Sequence, residues 1–208
     1  MNSHAFQERN VSASGLLIFI SGPSGVGKST LCRRLAADLP AEFAVSATTR
    51  PGKPQDALGK KYLFVTENIF RQMLEAGEFL EYAYKFDNWY GTLRKPVEDG
   101  LEAGHTILFE VEVQGAIQIR KMFPVSLGIF VLPPSMDDLK HRLEVRKRDD
   151  EATILRRLTE AQQEIRSAQA CGIYNLMVVN EDNGIDKTIK TIKRTIKTFR
   201  RDEQNRLF

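Results

Sequence analysis

Apolar residues fall along the chain in two alternating rhythms. Short unbroken runs, Leu16–Ile20, Thr106–Val113 and Leu127–Leu132, read as strands buried on both faces. Between and after them lie stretches with a period near 3.6, which read as helices. These are Lys28–Leu39 (stopped near Pro40), about Asn68–Ala76, Lys95–Ala103 (ending at Gly104) and one running from the second strand to about Lys121. Pro133 and Pro134 close the third strand, since neither can continue a ladder. Ser135 caps the next helix, which runs to about Arg146 with Asp138 in its first turn complementing the dipole. Helices at about Thr153–Ala170 and Asp186–Arg201, with a strand Asn175–Val179 between them, complete the pattern.

Apolar strands separated by helices predict an α/β fold with a parallel sheet covered on both faces. From Arg50 to Thr92 the rhythm breaks. Phe43–Ala47 just before it and Lys61–Val65 within it look extended, and Phe79–Phe86 has the aromatic-rich pattern of a strand, which predicts a small mixed insertion from Arg50 to Thr92 carrying a ligand site. The last helix places Ile185, Ile189, Ile192, Ile196 and Phe199 on one face and Lys187, Lys190, Lys193, Arg194 and Lys197 on the others. That spacing suits a helix packed on the sheet with a solvated lysine face better than a membrane-surface helix.

Composition narrows the class. With 208 residues, 42% apolar and 27% charged, the chain is long enough for one core with an insertion but not for two large domains. A net charge of +3 is too small a bias to argue for nucleic acid or an anionic membrane as partner. No apolar run approaches the roughly 20 residues of a membrane span, and residues 1–14 lack the apolar centre of a secretory signal, so they read as a loose leader. Cys32 and Cys171 follow no disulfide or zinc spacing, and His4, His105 and His141 form no ligand cluster with them. A reduced, cytoplasmic protein without a structural metal is expected, with Cys32 as a small buried helix residue.

One motif carries chemistry by itself. Gly22-Pro23-Ser24-Gly25-Val26-Gly27-Lys28-Ser29 fits G-x-x-x-x-G-K-[ST] at every fixed position and lies between a predicted strand and a predicted helix. In such a loop backbone N–H groups turn inward around phosphates, and the following helix adds partial positive charge. Lys28 reaches the terminal phosphates and the Ser29 hydroxyl is placed as a Mg²⁺ ligand. A chance match in a chain of this length is on the order of one in a hundred, given average glycine usage. Residues from Gly22 to Thr30 are therefore read as the binding site for a nucleoside triphosphate.

The phosphoryl acceptor must be sought in the irregular region. There Ser46, Thr48, Thr49, Arg50, Lys53, Tyr62, Glu81, Tyr90, Gly91 and Thr92 cluster. Arginine, lysine and tyrosine hydroxyls can hold a second anion, arginine in bidentate fashion. Guanine presents two parallel N–H donors that one carboxylate accepts together, whereas adenine offers an acceptor there. Glu81 fits the first base, although a glutamate taken alone is more often a surface residue than a base reader.

S-A-T-T-R at 46–50, Gly59-Lys60-Lys61-Tyr62, F-L-E-Y at 79–82, N-W-Y-G-T at 88–92, V-Q-G at 113–115 and L-P-P-S at 132–135 together resemble guanylate kinase, in register from about Leu16 to Ile196. The resemblance implies a P-loop three-layer fold with a parallel sheet, a small mixed nucleoside-monophosphate-binding insertion and a helical lid. It divides the chain into a leader (1–14), a core (15–46 and 93–208, with the lid at about 136–160) and a GMP-binding domain (47–92). The acceptor it implies is GMP or dGMP, with the phosphate held at Arg50, Tyr62 and Tyr90 and the base read at Ser46, Glu81 and Thr92. Arg142, Arg146 and Arg157 match lid arginines, and Asn180 matches a position near the adenine of ATP. Glu110 matches a residue that orients the Mg²⁺ water shell, and Glu112 one facing the guanine amine.

Four departures from the family pattern stand out. Lys53 replaces a second clamp arginine, Glu110-Val-Glu112 replaces Asp-x-Asp, Val145 and Lys147 replace lid glycines, and Trp89 replaces a tyrosine. None removes a charge that phosphoryl transfer needs. With ionised phosphate as nucleophile no strong general base is required, and catalysis becomes positioning plus charge neutralisation. ATP with Mg²⁺ and GMP or dGMP are the expected partners of a monomer or homodimer, without nucleic acid or membrane. Two other readings compete: a non-catalytic protein-binding module of the same fold, and a kinase for another monophosphate or a sugar phosphate. The intact phosphate loop argues against the first, while the Glu110 and Glu112 changes leave the second open.

Overall fold

A computed structural model describes residues 15–52, 62–85, 87–145 and 150–206. The first layer is built from β1 (Leu16–Ser21), α1 (Lys28–Asp38), β2 (Ala41–Phe43), α3 (Arg94–Glu102), β7 (Thr106–Glu110), α4 (Val113–Met122), β8 (Leu127–Leu132), β9 (Leu176–Val179) and α7 (Ile185–Arg206). Its five strands are all parallel, in the order β2-β7-β1-β8-β9. Between β3 (Ser46–Thr48) and β6 (Asn88–Leu93) the chain builds a second sheet with β4 (Tyr62–Phe64), α2 (Glu67–Glu75) and β5 (Phe79–Lys85), in the order β4-β3-β6-β5. The helices α5 (Met136–Val145) and α6 (Glu151–Cys171) follow β8.

Strand period explains the layering. Along β1, Leu16, Ile18 and Ile20 pack with Leu31, Cys32 and Leu35 of α1 and with Ile189, Ile192 and Ile196 of α7. Leu17 and Phe19 turn the other way, onto Val97 and Leu101 of α3 and Ala116 and Ile119 of α4. Each of the valine, leucine, isoleucine and phenylalanine side chains among these, when fully buried, contributes about 1.5–3 kcal/mol. The isoleucine face of α7 is therefore a core face, as its spacing predicts, and Cys32 is wholly buried within the same cluster.

Three expectations need correction. Phe43–Ala47 is not one extended segment. Ala44 N–H bonds the Leu108 carbonyl at 2.9 Å and Leu93 N–H bonds the Val45 carbonyl at 2.9 Å, so the chain crosses from the first sheet to the second within two residues. The strand expected over Thr106–Val113 ends at Glu110, and Val113 already opens α4. Asn88–Leu93, read only as a motif, is a strand whose interior glycine, Gly91, admits the Phe79 ring where a Cβ would lie 2.7 Å from it. The leader, Lys53, the Gly59–Lys61 part of the turn, Arg146 and Lys147 lie outside the described residues.

Candidate active site

The donor side is built from consecutive residues. β1 delivers the chain to a loop in which Gly22, Gly25 and Gly27 all take positive φ, a backbone shape that turns N–H groups toward one centre. Gly27 is the N-cap of α1, with no side chain covering the helix's first N–H groups. A Cβ there would lie 2.7 Å from Asn180 Nδ2, so only glycine fits. Lys28 donates to the carbonyls of Gly22 at 2.5 Å and Pro23 at 3.0 Å. The residue keeps some exposed surface, but its ammonium sits among loop carbonyls that shield it from water. Burial lowers its pKa below the usual lysine value, while the carboxylates of Glu110, Glu164 and Glu112 push the other way.

Register carries Glu110 to the same place. Ile20 pairs with Glu110 across β1 and β7, so the carboxyl ends of both strands are level. Ser29 Oγ then donates to Glu110 Oε1 at 2.9 Å. A hydroxyl and a carboxylate side by side form a hard-oxygen donor set of the kind Mg²⁺ takes, with waters completing its octahedron. Among the described residues no group of three or more His, Cys, Asp or Glu side chains is arranged to hold a metal.

The other predicted donor-side residues are placed differently from a simple lid over phosphate. Asn180 is buried, and its Nδ2 donates to the Val26 carbonyl at 2.8 Å, bracing the phosphate loop from behind. Its Oδ1 is buried without a hydrogen-bond partner among the described residues. Arg142 donates to the Asn180 carbonyl at 2.7 Å and to Asp182 Oδ1 at 2.7 and 3.0 Å, tying α5 to the loop after β9. Asp182 was not foreseen, and neither was Glu164. Glu164 and Arg157 are seven residues apart on α6 and so share a helix face.

The acceptor side is assembled across four strands. Ser46 pairs with Tyr62 on β4 and with Thr92 on β6, and Thr92 pairs with Glu81 on β5. Tyr62, Ser46, Thr92 and Glu81 therefore form one row across the second sheet, with side chains on one face. On the opposite face Ala47, Phe79 and Trp89 pack with Phe70, Met73 and Leu74 of α2. Phe70 stacks on Phe79 at 4.5 Å and on Trp89 at 5.7 Å between ring centroids. The Trp89 departure thus faces the small core, away from the polar row.

A register shift between Phe79 and Glu81 aims the carboxylate. Phe79 pairs with Leu93 and Glu81 with Thr92, so the extra residue sends Phe79 into the core and Glu81 to the polar face, as bulges do beside functional sites. Thr92 Oγ1 donates to Glu81 Oε1 at 2.5 Å. Arg50 lies over the rings of Tyr62 at 5.0 Å and Phe64 at 5.4 Å, which holds its guanidinium at the same edge of the sheet as Tyr62. Tyr90 stands on β6 two residues before Thr92, on the same face. Glu112 is the exposed N-cap of α4 and makes no capping bond to its own helix.

The two sides meet at the β7–α4 junction. Glu110 touches Ser29, and five residues later Gly115 lies against Glu81, its missing Cβ position 3.1 Å from Oε2.

Comparison with known proteins identifies the family. The profile of the guanylate kinase family matches residues 14–199. A guanylate kinase of Jannaschia sp. is 43% identical over 194 residues, covering 91% of this chain and 87% of that protein. One from Nostoc sp. is 44% identical over 170 residues, covering 81% and 84%. The crystal structure of guanylate kinase from Anaplasma phagocytophilum superposes with a TM-score of 0.69 at 31% identity, covering 89% of this chain and 86% of that one. A phosphate loop, a facing polar row and relatives of this closeness over nearly the whole length place the chain in the guanylate kinase family.

Proposed function

We propose that the protein transfers the γ-phosphoryl group of ATP to GMP, and also to dGMP, giving ADP and the nucleoside diphosphate. The observation that carries this reading is the β7–α4 junction, where residues 110–115 touch the phosphate-loop serine at one end and the base-reading carboxylate at the other. Donor and acceptor sites are thereby built on one short rigid segment.

In this reading the backbone of Gly22–Thr30 and the Lys28 ammonium hold the ATP phosphates. Lys28 trades its bonds to Gly22 and Pro23 for phosphate oxygens, which favour the charged form that burial disfavours. Ser29 and Glu110 would hold Mg²⁺, whose charge offsets that building up on the β- and γ-phosphates. Arg50, Lys53, Tyr62 and Tyr90 hold the acceptor phosphate. Glu81 accepts both N–H donors of guanine while the Thr92 hydroxyl orients it, and Ser46 and Glu112 line the same base. The acceptor phosphate oxygen attacks with no proton to remove, so orientation and cationic neutralisation carry the rate. Arg146 and Arg157 close over the transferring group with the lid, about 136–160 within the core of 15–46 and 93–208. The lid moves against the rest of that core and a GMP-binding unit of 47–92 and excludes water. Arg142 acts from the donor side, and Asn180 serves ATP by holding the loop in shape.

A coupled assay with ATP, Mg²⁺ and GMP, dGMP, AMP, dTMP or ribose bisphosphate tests the reading. GMP and dGMP should turn over, and AMP should be poorer by at least about a hundredfold, since it leaves Glu81 facing an acceptor. Equal use of AMP, or ATP binding with no transfer to any of these compounds, would overturn it.

A further inference from the structure

Gly115 is a glycine without a backbone reason. It sits in the first turn of α4 without the positive φ that favours glycine, and within a helix glycine is less favourable than alanine. A missing side chain there points to space needed by something else. The three atoms nearest the position a Cβ would take all belong to one side chain: Glu81 Oε2 at 3.1 Å, Cδ at 3.6 Å and Cγ at 3.7 Å.

We propose that Gly115 is a specificity-determining positioning residue, whose lack of a side chain lets the Glu81 carboxylate lie against α4 in the orientation that accepts guanine. Glu81 is held from two directions. Thr92 Oγ1 bonds Oε1 at 2.5 Å, and the bare first turn of α4 bounds Oε2. A methyl at 115 would crowd Oε2 by a few tenths of an ångström. The crowded group is the far end of a flexible side chain rather than backbone, so the fold tolerates the change by a shift of the carboxylate. The shift itself is what guanine recognition cannot tolerate, because two parallel N–H donors demand both oxygens in one plane. This inference rests on Glu81 reading the base, as proposed above.

The test is a cycle of Gly115→Ala, Glu81→Gln and the double variant, with Gly115→Val as a larger wedge. Gly115→Ala should raise KM for GMP about fivefold, with kcat within about twofold, KM for ATP unchanged and a melting temperature equal to or above that of the parent. Gly115→Val should raise KM for GMP further. In the Glu81→Gln background Gly115→Ala should add little, because the group it displaces no longer reads the base. If Glu81→Gln raises KM for GMP but Gly115→Ala does not, or if the alanine effect persists in full on top of Glu81→Gln, Gly115 does not act through Glu81. If Glu81→Gln itself leaves KM for GMP unchanged, the base-reading assignment fails first and takes this inference with it.

Discussion

The two halves of the proposed active site are built by opposite means. The donor half is a run of consecutive residues, Gly22 to Ser29, shaped by backbone conformation at the end of one strand and the start of one helix. The acceptor half is a row of four side chains drawn from four strands, each supplying one group through register and one bulge. Phosphate is a large, diffuse anion that backbone N–H groups recognise well. A purine edge has directional donors, and only side chains from several elements can converge on it. The donor half should therefore respond to changes in one loop and its braces, and the acceptor half to changes in sheet register.

The hardest test of this division is Lys28→Ala. The sole cation of the loop is lost, and kcat should fall by at least about a thousandfold. The melting temperature should stay within a few degrees of the parent. Near-normal turnover would mean that the loop does not carry the donor phosphates.

Next in size, Glu81→Gln replaces one acceptor of a guanine pair with a donor. It should weaken GMP by about 1–3 kcal/mol, a roughly 5- to 150-fold rise in KM, while KM for ATP stays put. Asn180→Ala is its mirror on the donor side. Removing Nδ2 leaves the Val26 carbonyl without that bond, so the expected change is a roughly tenfold weaker ATP with GMP unaffected. Effects of both variants on both substrates would show that the halves are not independent.

The smallest effect is a proton. Burial lowers the Lys28 pKa in the free protein, and bound phosphates raise it. Between the free and the bound values, the complex holds more protons than the free protein does. ATP binding should then take up protons and weaken as pH climbs through that window, with no such linkage at lower pH. Calorimetry of ATP binding in two buffers of different ionisation enthalpy reads this directly. Uptake should persist in Glu81→Gln, because that variant alters only the acceptor half.

One short segment joins the halves. From Glu110 beside Ser29 to Gly115 beside Glu81, the turn from β7 into α4 spans both sites. Glu112 lies between them as an N-cap that does not cap its helix. Aspartate at that position is well suited to accept the helix's own N–H groups, while glutamate carries its carboxylate one methylene further out. The Glu112 departure therefore moves this carboxylate further from the helix's own N–H groups than an aspartate would.

The sequence by itself determined everything that depends on neighbours in the chain. The phosphate loop is eight consecutive residues, the two faces of β1 follow from a period of two, and the isoleucine face of α7 follows from a period of 3.6. Ser135 as a cap is equally local, and its Oγ accepts the Asp138 N–H at 3.0 Å. Only the tertiary structure decided the rest. Residues 41–48 divide between two sheets by pairing with β7 and then β6, and three-residue strands carry too little pattern to show which partner they take. The bulge that turns Glu81 to the polar face is a property of pairing with β6, invisible in F-L-E-Y alone. Arg142 matches a lid arginine by resemblance, and only the fold shows that it bonds Asp182, forty residues away. Long-range partners of this kind are set by packing and register, and no local pattern encodes them.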